Sequence, residues 1–425
     1  MKVKSRIAAC LLICALCIGV FSPAAYAAGE DEKTVAPTTT TVAPGGESTP
    51  ETTQENQKPQ GSVQSSQEDN PNQGTVDIRS KSVILLEQST GEVLYSYNPD
   101  EQYPPASITK IMTLLLVMEA IDTGKITVDD MVTCSQHAAD MGGSQIWLEP
   151  NEQMSVHDLL KATAVSSAND AATCLAEYVA GSEEAFVAMM NQRAQELGMK
   201  NTVFKNTNGL DAEGHLSTAR DIAIMSMELL KHPKILEYTT IWMDSLRGGE
   251  TQLVNTNKMI RYYDGATGLK TGTTDGAGSC LSASATRNGM TLIAVTLGSA
   301  TSDERFYTAK KLLDYGFANY ELANIQPMSA ETPVKVTGGV ENEVTVEPQP
   351  PEPLVLPKGR SQEITQEIEL MPQVSAPVEK GQTVGRVIVK LGEEEILTYP
   401  MVASQSVEKM TLPRALCILF KAMVG

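Results

Sequence analysis

The sequence predicts a mixed α/β domain, then a small all-β domain and a C-terminal amphipathic helix. Three observations predict this order. Strand-like runs near residues 82–97 and 280–295 flank a helix-rich middle, which is typical of a sheet completed by both ends of one segment. After Ile325 the chain changes to short apolar runs punctuated by Pro and Gly. Its last stretch is almost wholly apolar.

The first 27 residues have the pattern of a secretory signal peptide. Lys2, Lys4 and Arg6 precede an apolar run over residues 7–20, and Ala25-Tyr26-Ala27 supplies small residues before a cleavage point. The apolar run is too short to span a membrane. We therefore expect an exported protein that works outside the cytoplasm.

Residues 28–76 are predicted to be a disordered linker. From residue 29 onwards they are rich in Thr, Pro, Gln, Ser and Glu and contain no aromatic residue. Such a segment buries too little apolar surface to offset the entropy lost on ordering. The whole chain of 425 residues carries a net charge of −19, so it has no basic surface for nucleic acid.

Cysteine and histidine give no indication of a metal or cofactor. The four histidines have no spacing typical of metal ligands. Four cysteines follow the signal peptide without any C-x-x-C spacing, and their pairing is left open by the sequence. These cysteines are Cys134, Cys174, Cys280 and Cys417.

The α/β domain is assigned to residues 77–322. Two strand-like runs, 82–86 and 93–97, are separated by a turn signal at Gln88-Ser89-Thr90-Gly91 and predict a hairpin. Helical patterns follow over residues 107–118, 159–179, 184–197 and 218–230. Thr218 and Asp221 form a capping pair at the start of the last of these. Strands at 280–285 and 290–295 and a helix over 302–317 complete the domain.

Two smaller units are expected after it. Residues 323–408 predict a β-rich domain. Residues 409–425 predict an amphipathic helix, in which Arg414 and Lys421 are seven residues apart and share one face. Because the apolar stretch is too short to cross a bilayer, we expect it to lie on the membrane surface. Packing on the β domain or on another protein is the alternative.

Three short motifs carry the chemistry. They occur in the order S-x-x-K, S-x-N and K-T-G, the set found in penicillin-binding proteins and serine β-lactamases. Each is weak alone, since Ser406-Val407-Glu408-Lys409 is also S-x-x-K. Only the first copy follows a helix-start signal, Pro104-Pro105. The motifs are Ser107-Ile108-Thr109-Lys110, Ser167-Ala168-Asn169 and Lys270-Thr271-Gly272-Thr273.

With these motifs, residues 80–319 resemble the serine-type D-Ala-D-Ala carboxypeptidases, the low-molecular-mass penicillin-binding proteins of peptidase family S11. The β domain and tail resemble that family more loosely. The resemblance implies a penicillin-binding-protein/β-lactamase-like transpeptidase fold. Further matching segments are Tyr103-Pro104-Pro105-Ala106-Ser107, Gly209-Leu210-Asp211-Ala212, Gly268-Leu269-Lys270-Thr271-Gly272 and Lys310-Lys311-Leu312-Leu313.

The resemblance implies removal of the terminal D-alanine from peptidoglycan stem pentapeptides. The implied partners are stem peptides ending in D-Ala-D-Ala, and β-lactams as covalent inhibitors. The implied location is the outer face of the cytoplasmic membrane or the cell wall. Two alternative functions are a β-lactamase and a non-catalytic wall-binding relative. The first lacks support because the chain has no E-x-x-L-N segment, which class A β-lactamases use to resolve the acyl-enzyme.

The residues of the motifs divide into catalytic and substrate-binding groups. Ser107 is the expected nucleophile, and Lys110 the expected base if burial and Lys270 destabilise its ammonium. The resemblance implies that Ser167 and Asn169 lie opposite on a turn that connects two helices, where Ser167 relays a proton to the leaving amine and Asn169 orients Lys110 and the substrate amide. The expected carboxylate-binding residues are Lys270, Thr271, Gly272, Thr273 and Arg305.

Overall fold

The computed structural model describes residues 76–424. The predicted signal peptide and all but the last residue of the predicted linker lie outside the described residues. Those described contain ten α-helices: α1 Lys110–Asp122, α2 Gln136–Ala139, α3 Val156–Val165, α4 Asn169–Ala180, α5 Glu183–Glu196, α6 Ala219–Leu230, α7 Leu236–Thr239, α8 Met259–Tyr262, α9 Ser302–Asn319 and α10 Leu412–Val424.

The strands fall into an N-terminal and a C-terminal group. The first group is β1 Ser82–Glu87, β2 Val93–Tyr97, β3 Met131–Thr133, β4 Gln153–Ser155, β5 Met243–Leu246, β6 Thr251–Val254, β7 Ala266–Thr274, β8 Gly278–Arg287 and β9 Met290–Ser299. The second is β10 Tyr320–Ala323, β11 Val334–Thr337, β12 Glu343–Val344, β13 Val346–Pro348, β14 Leu354–Pro357, β15 Ile364–Leu370, β16 Gln373–Ser375, β17 Thr383–Leu391 and β18 Glu394–Ala403.

A five-stranded antiparallel sheet in the order β2-β1-β9-β8-β7 organises the first domain. Strand β1 is buried along its whole length. Because successive side chains of a strand point to opposite faces, Ile84 and Leu86 join the core formed with the central helices, whereas Val83 and Leu85 join the core beneath α9. The prediction of a sheet built from both ends of the segment is confirmed.

The continuous helical period over 159–179 is interrupted where a turn between helices is expected at Ser167 and Asn169. The pattern over 159–179 is divided into α3 and α4 by a short turn that contains Ser167 with a φ of +64°. The capping pair is confirmed, because the Thr218 side chain accepts a hydrogen bond from the backbone N–H of Asp221. Helix α9 begins with a capping box in which Thr301 and Glu304 each bond the other's backbone.

The C-terminal domain is rich in β-structure, as predicted. Its larger sheet has the order β13-β18-β17-β15, and a smaller one has the order β12-β11-β16. Strand β10, which continues directly from α9, pairs with β14 and so ties the two domains together.

Helix α10 projects its apolar side chains into solvent. Leu412, Leu416, Leu419, Phe420 and Met423 are all more than half exposed. Among residues 76–424, no helix has the length and apolar character needed to cross a membrane. Within the same range all four cysteines are free thiols, of which only Cys417 is exposed.

Candidate active site

The first motif lies where the chain enters α1. Ser107 belongs to a single 3₁₀ turn, Ala106–Thr109, that leads directly into the helix at Lys110. Ser107 is partly exposed, whereas Lys110 is fully buried. A hydroxyl at Ser107 can therefore meet a substrate from solvent while the amine behind it is shielded from water.

The Lys110 amine has three oxygen neighbours. Its Nζ lies 3.0 Å from Ser107 Oγ, 2.6 Å from Asn169 Oδ1 and 2.6 Å from the carbonyl oxygen of Asn208. The orientation of the Asn169 amide is fixed independently, because its Nδ2 donates to the carbonyl of Gly142 at 2.6 Å. The two shortest contacts of Lys110 therefore go to oxygens that can only accept.

Burial lowers the pKa of Lys110 well below its ordinary value, and the neighbouring charge of Lys270 lowers it further. Asp170 acts in the opposite direction as a smaller influence. A neutral amine has two N–H groups and a lone pair. With both N–H groups donated to Asn169 and Asn208, the lone pair is left for the hydroxyl of Ser107.

Ser167 and Asn169 lie on the turn between α3 and α4, opposite the 3₁₀ turn of Ser107. Both are buried. Asn169 begins α4, and its backbone N–H donates to the carbonyl of Ser144 at 2.7 Å. The Ser167 side chain has no hydrogen-bond partner among the described residues and sits on a left-handed backbone. Its hydroxyl is therefore available to a ligand.

Strand β7 forms another wall of the site and lies close to the 3₁₀ turn that precedes α1. A Cβ on Gly272 would lie 3.0 Å from the carbonyl oxygen of Pro105 and 3.0 Å from the backbone nitrogen of Ser107. Glycine is needed here because the strand and the nucleophile's turn touch backbone to backbone. On the same strand Lys270 and Thr271 are buried and Thr273 is exposed.

Two basic side chains belong to this part of the site, Lys270 on β7 and Arg305 on α9. Burial and the charge of Arg305 lower the pKa of Lys270 to about 7. Arg305 is 7% exposed. Its Nη1 donates to the carbonyl of Gly272 at 2.8 Å and to Thr273 Oγ1 at 2.9 Å. The guanidinium thus positions the strand and polarises the one exposed hydroxyl on it.

Three residues of the site were not singled out by the sequence analysis. The carbonyl of Asn208 contacts Lys110, and the buried carboxylate of Asp170 holds the loop beside Asn169. The third residue, buried His215, forms a hydrogen bond with Thr109 through Nε2 at 2.8 Å and accepts one from the Lys205 N–H through Nδ1. These two contacts suit a neutral imidazole ring, and burial lowers the pKa of His215 to about 4. A backbone carbonyl leaves no trace in a sequence motif.

No group of three or more His, Cys, Asp or Glu side chains in the part of the chain that the structure describes is arranged to hold a metal ion. The charged groups of the site are cations, and its carboxylate, Asp170, is taken up by backbone N–H groups. The site therefore suits the binding of an anionic group.

The sequence model of one family, D-alanyl-D-alanine carboxypeptidase, matches residues 65–301. The chain belongs to the D-alanyl-D-alanine carboxypeptidase family. A second model, the C-terminal domain of penicillin-binding protein 5, matches residues 324–409. Among curated relatives, D-alanyl-D-alanine carboxypeptidase DacF of Bacillus subtilis is 44% identical over 334 residues, which is 77% of this chain and 86% of that protein.

Solved structures agree with this family. Penicillin-binding protein 5 from Haemophilus influenzae aligns with a TM-score of 0.71 at 32% identity, covering 80% of this chain and 100% of that one. Penicillin-binding protein D2 from Listeria monocytogenes, in its ampicillin-bound form, aligns with a TM-score of 0.53 at 32% identity, covering 57% and 100%. The predicted fold and the predicted D-Ala-D-Ala carboxypeptidase activity are thereby confirmed.

The comparisons do not favour the two alternative functions.

Proposed function

We propose that the protein removes the terminal D-alanine of peptidoglycan stem peptides through an acyl-enzyme on Ser107. The observation that carries this proposal is the buried Lys110 amine, 3.0 Å from Ser107 Oγ. A serine hydroxyl is a weak nucleophile at neutral pH and needs an adjacent base. A lysine whose pKa is lowered by burial is such a base, and a positioned base contributes about 10²–10⁴-fold to the rate.

In the acylation step the Ser107 oxygen attacks the carbonyl carbon between the two D-alanines, and its proton passes to Lys110. The resulting oxyanion would be held by the backbone N–H groups of Ser107 and Thr273, each donor contributing about 10²–10³-fold. The C–N bond then breaks. The amine of the leaving D-alanine takes a proton from Lys110, with the free hydroxyl of Ser167 as the relay.

Deacylation repeats the sequence with water as the nucleophile. Lys110 accepts a proton from water, the hydroxide attacks the ester carbonyl, and the bond to Ser107 breaks with return of the proton to its oxygen. Asn169 keeps the Lys110 amine aimed at the reacting oxygen in both halves, since its own amide is fixed by Gly142. No cofactor enters this scheme.

The free carboxylate of the substrate would bind beside β7. In this proposal the carboxylate faces four residues of the strand, Lys270, Thr271, Gly272 and the exposed Thr273. Arg305 lies behind them. Arg305 contacts the Thr273 hydroxyl at 2.9 Å and is largely desolvated. A desolvated cation interacts strongly with an anion because the local dielectric is low. This arrangement would give preference to peptides with a free C-terminus.

We expect the enzyme to release D-alanine from an acylated D-Ala-D-Ala tripeptide far faster than it cleaves the C-terminal amide of that peptide. Replacing Arg305 by Gln should lower the ratio of the two kcat/KM values by about 10- to 150-fold, since a charge-assisted contact contributes about 1.5–3 kcal/mol. The ratio is measured by chromatography of the products.

The control for this prediction is Arg220→Gln, which removes an arginine paired with Asp100 at the surface. It should leave the ratio unchanged. Equal cleavage of acid and amide by the unaltered enzyme would contradict the carboxypeptidase assignment itself. An unchanged ratio in Arg305→Gln would contradict only the role of that residue.

The same acyl-enzyme chemistry extends to β-lactams. A solved relative is known in an ampicillin-bound form, and the present site places the Ser107 hydroxyl next to the Lys110 amine, 3.0 Å away. We infer that penicillins acylate Ser107 and inhibit the protein.

The substrate class further supports a location outside the cytoplasm, at the outer face of the cytoplasmic membrane or in the cell wall. The pattern of residues 1–27 predicts the same location.

Helix α10 supports association with the membrane surface. Its exposed apolar side chains include Leu419 and Phe420, and Lys421 lies in its last turn. Arg414 is paired with Glu408. We expect the protein to sediment with vesicles that contain anionic lipid, and Leu419→Glu with Phe420→Glu to abolish this. Full sedimentation of the double variant would contradict the proposal.

A further inference from the structure

Trp147 has an unusual combination of backbone strain and exposure. Its φ is +58°, in the left-handed region that bulky residues rarely adopt. Its side chain is 75% exposed, so packing in the core does not compensate for this backbone. Strain of this kind persists where the surroundings impose it, commonly at functional sites.

The surroundings of Trp147 impose this conformation from both sides. The buried carboxylate of Asp170 accepts from the N–H groups of Ile146 and Leu148, each at 3.1 Å through Oδ2. Arg247 donates to the carbonyl of Ile146 at 2.9 Å, and to that of Trp147 at 3.4 Å. Ile146 and Leu148 are buried. The indole is thus presented to solvent by a segment that is otherwise firmly held.

The same segment is part of the wall of the site. Asn169 donates through Nδ2 to the carbonyl of Gly142 and through its backbone N–H to the carbonyl of Ser144. Asp170, which holds the residues on either side of Trp147, follows Asn169 directly in α4. The position of Trp147 is therefore fixed relative to the residue that orients Lys110.

We propose that Trp147 binds the glycan strand of the substrate by stacking its indole on an N-acetylated amino sugar next to the stem peptide. This inference rests on the proposed function. An indole offers a large, rigid apolar face at low entropic cost, which suits the C–H face of a sugar ring. A ring that is three-quarters exposed suits a polymer lying across the surface better than a short peptide end enclosed by the site.

The test compares two substrates, an acylated D-Ala-D-Ala tripeptide and a disaccharide pentapeptide that carries both amino sugars. Trp147→Ala should lower kcat/KM for the disaccharide pentapeptide about 5- to 10-fold, chiefly through KM, since an aromatic contact contributes about 1 kcal/mol. It should leave the tripeptide unchanged, and Trp147→Phe should restore most of the loss. Tyr178→Ala, which removes another exposed aromatic ring, is the matched control.

An equal loss on both substrates would overturn the proposal, because it would show that Trp147 shapes the site or contacts the peptide. No loss on either would overturn it as well. If the unaltered enzyme cleaved neither substrate, the proposed function would fail instead.

A binding measurement tests sugar stacking on Trp147 independently of the proposed peptidase activity. The chain has two tryptophans, so Trp242→Phe leaves Trp147 as the only indole. Its fluorescence should change saturably with peptide-free N-acetylglucosaminyl-N-acetylmuramic acid. A flat titration would contradict stacking whatever the catalytic activity.

Discussion

Replacing Lys110 by Met should slow acylation of Ser107 by about 10²–10⁴-fold. The substitution keeps the length of the buried side chain and removes the amine that lies 3.0 Å from Ser107 Oγ. It also leaves Asn169 Oδ1 and the carbonyl of Asn208 without their donor. A positioned base contributes about 10²–10⁴-fold. The measurement is stopped-flow acylation by a chromogenic cephalosporin.

Lys161→Met is the matched control for this prediction. Lys161 in α3 is also buried, but it pairs with Asp158 of the same helix and with Asp244 of β5. Its loss should affect stability and leave the acylation rate within a few-fold. If Lys110→Met were acylated within tenfold of the unaltered rate while folded, another group would have to be the base.

Replacing Gly209 by Ala should disrupt the site and destabilise the fold by about 3–5 kcal/mol, which is at the upper end of the destabilisation that single substitutions cause. Gly209 has a φ of +89°, and a Cβ there would lie 1.9 Å from the carbonyl oxygen of Ala106 and 2.8 Å from the backbone nitrogen of Ser107. These neighbours are backbone atoms of the nucleophile's own turn. They cannot move without moving Ser107.

Gly214→Ala provides a comparison within the same loop. Gly214 has a φ of +73°, and the nearest atom to its Cβ position is Cε of Lys205 at 3.5 Å. The substitution keeps the backbone penalty but adds no clash, so a cost of about 1 kcal/mol is expected. Urea unfolding of both variants measures the difference. Equal midpoints would show that the close approach of Gly209 to Ala106 does not matter.

The order of the fold was predictable because its elements carry strong local signals. The β1–β2 hairpin has a Gly turn between two apolar runs, and α6 begins with a Thr-Asp capping pair. The helical period over 159–179 does not reveal the break between α3 and α4, because the three residues 166–168 interrupt it too briefly, whereas the family resemblance implies a turn between helices at Ser167 and Asn169. Its consequence is functional, since the turn carries Ser167 and places Asn169 at the first residue of α4.

The site was predictable as far as side chains in motifs define it. Ser107 and Lys110 lie together as their i, i+3 spacing indicates, and Asn169 contacts Lys110 as the family resemblance implies. The carbonyl of Asn208 and the support of the site by Asp170 were not predictable. They depend on backbone atoms and on contacts between residues distant in sequence, such as the 98-residue separation between Lys110 and Asn208.

The intact mass of the protein after incubation with a labelled penicillin tests the central claim most directly. The account predicts one covalent adduct per chain on the unaltered protein and none on Ser107→Ala, with slow release of the label. An adduct of equal yield on Ser107→Ala would contradict Ser107 as the nucleophile. Rapid turnover of the penicillin without any accumulated adduct would contradict the carboxypeptidase account and favour a β-lactamase.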